Sequence, residues 1–114
     1  MHPVRQYYDY VDRGDLSSLI NLFAEEVIYH RPGYAPIVGR PALEEFYRQH
    51  RVIESGRHEL TEVVEENDRV AVRGHFAGSL KDGRDVQVAF ADFFRIDAEG
   101  LFVRRDTYFF TPAV

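Results

Sequence analysis

Residues 69–96, RVAVRGHFAGSLKDGRDVQVAFADFFRI, alternate apolar and polar side chains through two runs that meet at KDGR (81–84). A period of two marks a strand, and an Asp-Gly pair between two such runs is a strong hairpin signal. ENDR (66–69) and DAEG (97–100) punctuate the flanking sequence in the same way. The chain from Arg57 onward therefore divides into strands of roughly 57–66, 69–80, 85–96 and 101–110, an antiparallel meander.

Upstream, the period becomes helical. Val4, Tyr7, Tyr8 and Val11 share one helix face and Gly14 follows as a stop. Asp15 is placed to cap a second helix with the apolar stripe Leu16, Leu19, Ile20 and Phe23. VIYHRPGYAPIVG (27–39), with two prolines and two glycines, reads as extended and irregular. Pro41 suits the first turn of a third helix that buries Leu43, Phe46 and Tyr47 and exposes Glu44, Glu45, Arg48 and Gln49. Helices first and hairpin-linked strands after is the α+β pattern, with the helices on one face of the sheet. A chain of 114 residues supports one core and one domain, 1–114.

Composition narrows the function. Apolar residues make up 45% and charged residues 29%, and no stretch approaches the ~20 apolar residues of a membrane span, so no membrane is expected. The N-terminal residues lack a secretory pattern and cysteine is absent, which together point to the cytoplasm and remove disulfides, thiol catalysis and Cys-ligated metals. With net charge −5 and dispersed Lys and Arg, the chain has no basic stripe for nucleic acid. His2, His50 and His58 are too scattered for a metal site, no HExxH is present, and no cofactor is expected. The aromatic content of 14% exceeds what a core this size needs, and the surplus suits a pocket wall or a subunit interface.

Hairpin counting assigns the faces. A two-residue turn at Asp82-Gly83 sets Ser79 opposite Val86, His75 opposite Phe90 and Arg73 opposite Asp92. Counting from DAEG sets Asp92 against Arg105, Phe90 against Thr107 and Val88 against Phe109; counting from ENDR sets Glu62 against Arg73 and Leu60 against His75. One face would then carry Val86, Val88, Phe90, Phe94, Ile96, Val103 and Phe109 around a polar band of Glu62, Arg73, His75, Asp92, Arg105 and Thr107. The other would carry Phe76, Ala89, Ala91, Phe93, Phe102, Tyr108 and Phe110. A three-residue bulged loop would slip a strand by one and send its side chains to the opposite face. Both faces are apolar and helices cover only one, so the second is expected to pack on another copy, giving a homodimer.

YYDYVDRGDLSSLINLFAEEVIYHRPGYAPIVGRPALEEFYRQH (7–50), DRVAVRGHFAGSLKDGRDVQVAFADFFRID (68–97) and RRDTYFF (104–110) resemble the SnoaL-like and ketosteroid isomerase-like branch of the nuclear transport factor 2-like superfamily. The resemblance implies three helices wrapped by a strongly curved sheet around a conical apolar cavity, a cystatin-like α+β barrel, commonly dimeric. It also implies an apolar small-molecule ligand and cofactor-independent proton-transfer chemistry such as isomerisation, cyclisation or dehydration of a carbonyl compound. A noncatalytic ligand-binding or dimerisation module and an epoxide hydrolase-like enzyme are the alternatives. Tyr7 matches the family's helix tyrosine and Asp92 its strand acid, whereas Arg31 stands where the isomerases keep a carboxylate base. The Asp/Arg/Asp constellation of the epoxide hydrolase-like relatives meets Arg73, His75 and Thr107 here, with Asp106 one residue off.

Asp92, His75 and Tyr7 are thus the candidate catalytic residues. His75 titrates in the range that suits a proton shuttle, and Tyr7 would support charge on a ligand oxygen. Arg73, Arg105, Tyr29, His30, Arg31, Phe90 and Thr107 are the candidate substrate-binding residues, the two strand arginines as a clamp for anionic oxygen and His30 as a substitute base.

Overall fold

The helical spacing of Val4, Tyr7, Tyr8 and Val11 becomes α1 (Val4–Arg13), which buries those side chains in a computed structural model describing residues 4–50 and 53–110. Asp15 caps α2 (Leu16–Ile20), its side chain accepting from the Ser18 N–H at 3.3 Å. Phe23 belongs not to that helix but to β1 (Phe23–His30). The physical reason is a competing partner: the Phe102 N–H donates to the Leu22 carbonyl at 2.9 Å and opens a parallel pairing in which Phe23 faces Phe102. β2 (Ile37–Val38) pairs antiparallel with β1. α3 (Arg40–Glu45) carries Pro41 in its first turn and winds on as a π-helical turn, Phe46–His50.

The strands β3 (Ile53–Glu66), β4 (Arg69–Leu80), β5 (Asp85–Ile96) and β6 (Phe102–Phe109) form the expected meander. The sheet order is β2-β1-β6-β5-β4-β3, mixed because β1 and β6 run parallel. β2 and β3 are its edges, so the sheet is open and does not close into a barrel.

The registers depart from hairpin counting at named places. Between β4 and β5 the Leu80 N–H donates to the Arg84 carbonyl at 2.8 Å, enclosing Lys81, Asp82 and Gly83, with Gly83 at φ 93°. That is a three-residue loop with a left-handed glycine, and it slips the pair by one. Arg73 therefore faces Ala91, His75 faces Ala89, and Val72 faces Asp92. At DAEG the Asp97–Leu101 closure, with Gly100 at φ 86°, adds one slip, and a bulge between Arg95 and Ile96 adds another. Two slips restore parity. Thr107 takes the place opposite Asp92 and Arg105 moves opposite Phe94, yet both keep the face expected of them. ENDR is the two-residue turn it resembles, with Glu66 opposite Arg69 and Glu62 opposite Arg73; a bulge at Thr61 then sets Leu60 against Gly74 and His58 against Phe76.

The helix-covered face accordingly holds Val70, Val72, Phe76, Val88, Phe90, Asp92, Phe94, Ile96, Phe102, Arg105 and Thr107, all buried. Phe76 and Phe102 lie here and not on the outer face, because of the slipped β4 register and the bulged β6 pairing respectively. Arg73 and His75 are exposed on the outer face for the same reason. Phe93, Tyr108 and Phe110 stay on the outer face, exposed at 52%, 57% and 86%.

Glycines let aromatic rings lie flat on this sheet. A Cβ at Gly78 would come within 2.6 Å of the Phe76 ring and 2.2 Å of the Ser55 carbonyl oxygen. The second clash is with backbone and cannot be relieved by a rotamer change. Gly78→Ala is expected to lower stability by about 1–3 kcal/mol through overpacking, measured as a fall in the urea midpoint; an unchanged midpoint would show that β3 and β4 can separate at no cost.

Candidate functional site

Asp92 stands on β5 between Phe90 and Phe94 and is 0% exposed. A carboxylate withdrawn from water stays charged only when partners replace its hydration. Arg105 on β6 supplies a two-pronged contact, Nε to Oδ1 at 3.2 Å and Nη2 to Oδ2 at 2.9 Å. Tyr8 of α1 donates to Oδ2, and Thr107, directly across the ladder, donates to Oδ1. Four donors thus cover both oxygens.

The far edge of the guanidinium turns toward the helices. Nη1 donates to the Tyr7 hydroxyl and, at 3.1 Å, to the Tyr47 hydroxyl, and these two phenols are hydrogen-bonded to each other. The Arg105 Cζ lies 4.6 Å from the ring centroids of both Tyr7 and Tyr29, an aromatic sleeve that favours the cation. Hydrogen counting orients the rest. Thr107 has one hydroxyl proton and gives it to Asp92, so Tyr29 donates to Thr107 Oγ1 at 3.3 Å and itself accepts from Arg31 Nη1 at 3.0 Å.

These neighbours set the protonation states. Burial lowers the tendency of Arg105 to hold its proton, but the Asp92 charge and the oxygens of Tyr29, Tyr7 and Tyr47 together outweigh it and keep the guanidinium charged. Burial pushes Tyr7 well above the usual phenol range, and burial together with the Asp92 charge does the same to Tyr8, so both are proton donors at neutral pH. Tyr29 goes the other way: burial would raise it, and the charges of Arg105 and Arg31 bring it below the ordinary value.

Tyr7, Tyr47, Arg105, Thr107 and Arg31 line an interior pocket together with His58, Phe76, Val88 and Phe90. Its enclosed space is about 20 Å³, room for one water molecule. The broad cone implied by the resemblance is here largely filled by side chains, and a larger ligand must displace a half-buried lining residue such as Phe109.

The sequence candidates thus separate. Asp92, Tyr7, Arg105, Tyr29, Arg31 and Thr107 belong to one connected network, and Phe90 packs its ring on Tyr8 and His58. His75 is outside it, exposed, and Arg73 is 73% exposed with Glu62 3.9 Å away. His30 is turned to Asp106, 2.8 Å from its Oδ1, where Arg104 also bonds the same carboxylate at 2.9 Å, away from the pocket. Tyr8, Tyr47, His58 and Asp12 carry no sequence signal that marks them as site residues. Helical spacing marked the two tyrosines as buried, but the destination of a hydroxyl is not written in spacing. His58 reaches the interior only through the bulge at Thr61, with Asp12 Oδ1 2.6 Å from its Nδ1. Among the described residues no group of three His, Asp or Glu side chains could hold a metal ion, and no helix is long and apolar enough to cross a membrane.

A family model for a SnoaL-like domain matches residues 4–105. No curated protein matches the chain. Among solved structures, a nuclear transport factor 2-like protein of unknown function from Burkholderia pseudomallei K96243 superposes with TM-score 0.84 at 23% identity, covering 93% of this chain and 86% of its own. The epoxide hydrolase/cyclase-like enzyme SalBIII of pyran ring formation in the polyether salinomycin superposes with TM-score 0.81 at 20% identity, over 93% and 86%. A protein with a ketosteroid isomerase-like fold from Catenulispora acidiphila DSM 44928, in complex with trimethylamine, gives TM-score 0.80 at 20% identity, over 95% and 86%.

Arg105→Met would leave the Asp92 charge buried without its counterion, and a loss of about 3–5 kcal/mol is expected from chemical denaturation. Asp92→Leu combined with Arg105→Met should recover a large part of that loss. A double variant no more stable than Arg105→Met would show that the tyrosine and threonine donors, and not charge pairing, dominate.

Proposed function

The chain belongs to the SnoaL-like domain family, and from that premise we propose that its interior pocket binds a small apolar carbonyl-bearing molecule and supports proton transfer on it, as in an isomerase or cyclase. The observation that carries this reading is Arg105: one edge is clamped by Asp92, and the other presents its charge through the hydroxyls of Tyr7 and Tyr47 at the pocket wall. A carbonyl oxygen seated against those phenols would accept a hydrogen bond from a donor already fixed in place. Negative charge developing on that oxygen would meet a dipole backed by a guanidinium, in a pocket with room for little water. Preorganised donors of this kind are worth a few kcal/mol in a transition state.

Asp92 in this reading positions Arg105 and Tyr8 and does not itself exchange protons, because donors occupy both of its oxygens. The ketosteroid isomerase-like pattern is thus retained at Tyr7 and Asp92 and broken at Arg31, which lies at the pocket wall and holds Tyr29. Arg31, held protonated, cannot accept a proton, so the reaction needs another base. Epoxide opening is the weaker reading, since Asp106 would have to activate water from a position where Arg104 and His30 hold it, outside the pocket lining.

A second copy of the chain is the proposed partner of the outer sheet face. Phe93, Tyr108 and Val64 rise from a shallow groove whose rim carries Arg69, Arg95 and Arg104 as well as Glu66 and Asp106. A rim of both signs suits a two-fold interface, where each acid of one copy can meet a base of the other.

4-Nitrophenol, a phenol whose ionised oxygen imitates an enolate, tests the pocket. Binding should move the NMR signals of Tyr7, Tyr47 and Arg105, and Tyr7→Phe should weaken it by about tenfold, as removal of a hydrogen bond to a charged oxygen does. Signals confined to the outer face would remove the pocket from consideration. For the interface, sedimentation should give twice the monomer mass, and Phe93→Asp with Tyr108→Asp should give a monomer; a wild-type monomer at high concentration would rule the interface out.

A further inference from the structure

We propose that His58, oriented by Asp12, is the proton acceptor of the pocket. This inference rests on the ligand-binding reading above and supplies the base that Arg31 cannot be.

The bulge at Thr61 turns His58 to the interior, where its imidazole lies 4.7 Å from the Phe76 ring centroid, 5.1 Å from Tyr8 and 5.5 Å from Phe90. Its side chain is 10% exposed and lines the same pocket as Tyr7, Tyr47 and Arg105. Asp12, at the end of α1, grips it twice: Oδ1 is 2.6 Å from Nδ1, and Oδ2 accepts the His58 backbone N–H at 2.8 Å. A carboxylate on Nδ1 places the proton of the neutral ring there, so that Nε2 carries the lone pair. The same carboxylate stabilises the imidazolium that forms when Nε2 takes a proton, the part an orienting acid plays behind a catalytic histidine.

The step balances without a co-reactant. A C–H bond next to the ligand carbonyl breaks, an Nε2–H bond forms, and the electron pair moves to the carbonyl oxygen, which accepts from whichever of the Tyr7 and Tyr47 phenols does not donate to the other. Return of the proton from Nε2 to another carbon of the same molecule completes an isomerisation and restores neutral His58. Among the described residues, the titratable and charged groups around this centre include Asp12 and Tyr8, and Tyr7, Tyr47, Arg31 and Arg105, which line the same pocket. The two arginines also favour a bound anion, so the test must isolate the histidine.

The absorbance of 4-nitrophenol separates phenol from phenolate and reads the transfer directly, while ¹⁵N-histidine spectra report which ring nitrogen is protonated. In the wild type, bound probe should be phenolate at a pH where free probe is phenol, with His58 doubly protonated in the complex. His58→Gln should cut the bound phenolate by about tenfold, one unit of pKa, while neutral probe still binds. In the unliganded protein Asp12→Asn should change the Nδ1–H form of His58 into a mixture of tautomers. An unchanged phenolate fraction in His58→Gln, or an Nε2–H tautomer in the unliganded wild type, would overturn the assignment of His58 alone. Failure of wild type to bind the probe at all would sink the ligand reading, and His58 with it.

Discussion

The ion pair between Asp92 and Arg105 is the constraint around which the interior is arranged. Two opposite charges withdrawn from water repay their desolvation only with good geometry and with every remaining lone pair and proton engaged. That requirement explains why four elements converge on one spot. α1 brings Tyr7 and Tyr8, β1 brings Tyr29, the π-helical turn after α3 brings Tyr47, and β6 brings Thr107, each with a hydroxyl aimed at the pair or at its partners. Packing alone would have been satisfied by phenylalanine at the tyrosine positions and by valine at Thr107. The hydroxyls bind the helices to the sheet at a defined depth and rotation, something an apolar core specifies less sharply.

The network also accounts for the modest interior space. A ligand cavity in this architecture competes with the side chains that neutralise a buried charge, and here the side chains occupy most of it. The departure at Arg31 belongs to the same economy. A carboxylate there would have stood beside a Tyr29 already linked through Thr107 to Asp92, adding a second anion to the interior; an arginine instead donates into that chain of hydroxyls. The cost is the loss of a proton acceptor at that position, and among the described residues that line the pocket His58 carries the only ring nitrogens.

Much of this was legible in the residues themselves. The α1 stripe, the Asp15 cap, Pro41 at the start of α3 and the four long strands follow from spacing and turn chemistry, because those signals are local. The inward placement of Asp92, Arg105 and Thr107 was legible as well, although two register errors at 95–101 happened to cancel. What could not be read was parity at the other irregularities. KDGR closes as a three-residue loop and ENDR as a two-residue one, and both fit an alternating pattern because parity is set by the backbone of the loop and not by the residues that flank it. Thus His75 and Arg73 moved out, Phe76 moved in, and a bulge that leaves no compositional mark brought His58 to the pocket.

The bulge at Thr61 and the loop at 81–83 have a meaning for the way such a site can change over generations. Substitutions alter one side chain at a time, but a single inserted or deleted codon in a hairpin exchanges the whole inward and outward sets of a strand at once. A lineage of this fold could therefore retire one histidine and recruit another without mutating either, provided the swapped faces were both apolar enough to survive burial. β5, with Phe90 and Phe94 on one side and Phe93 on the other, is tolerant in that sense, and a relative with a nearly superimposable backbone can for that reason hold an unrelated set of reactive groups.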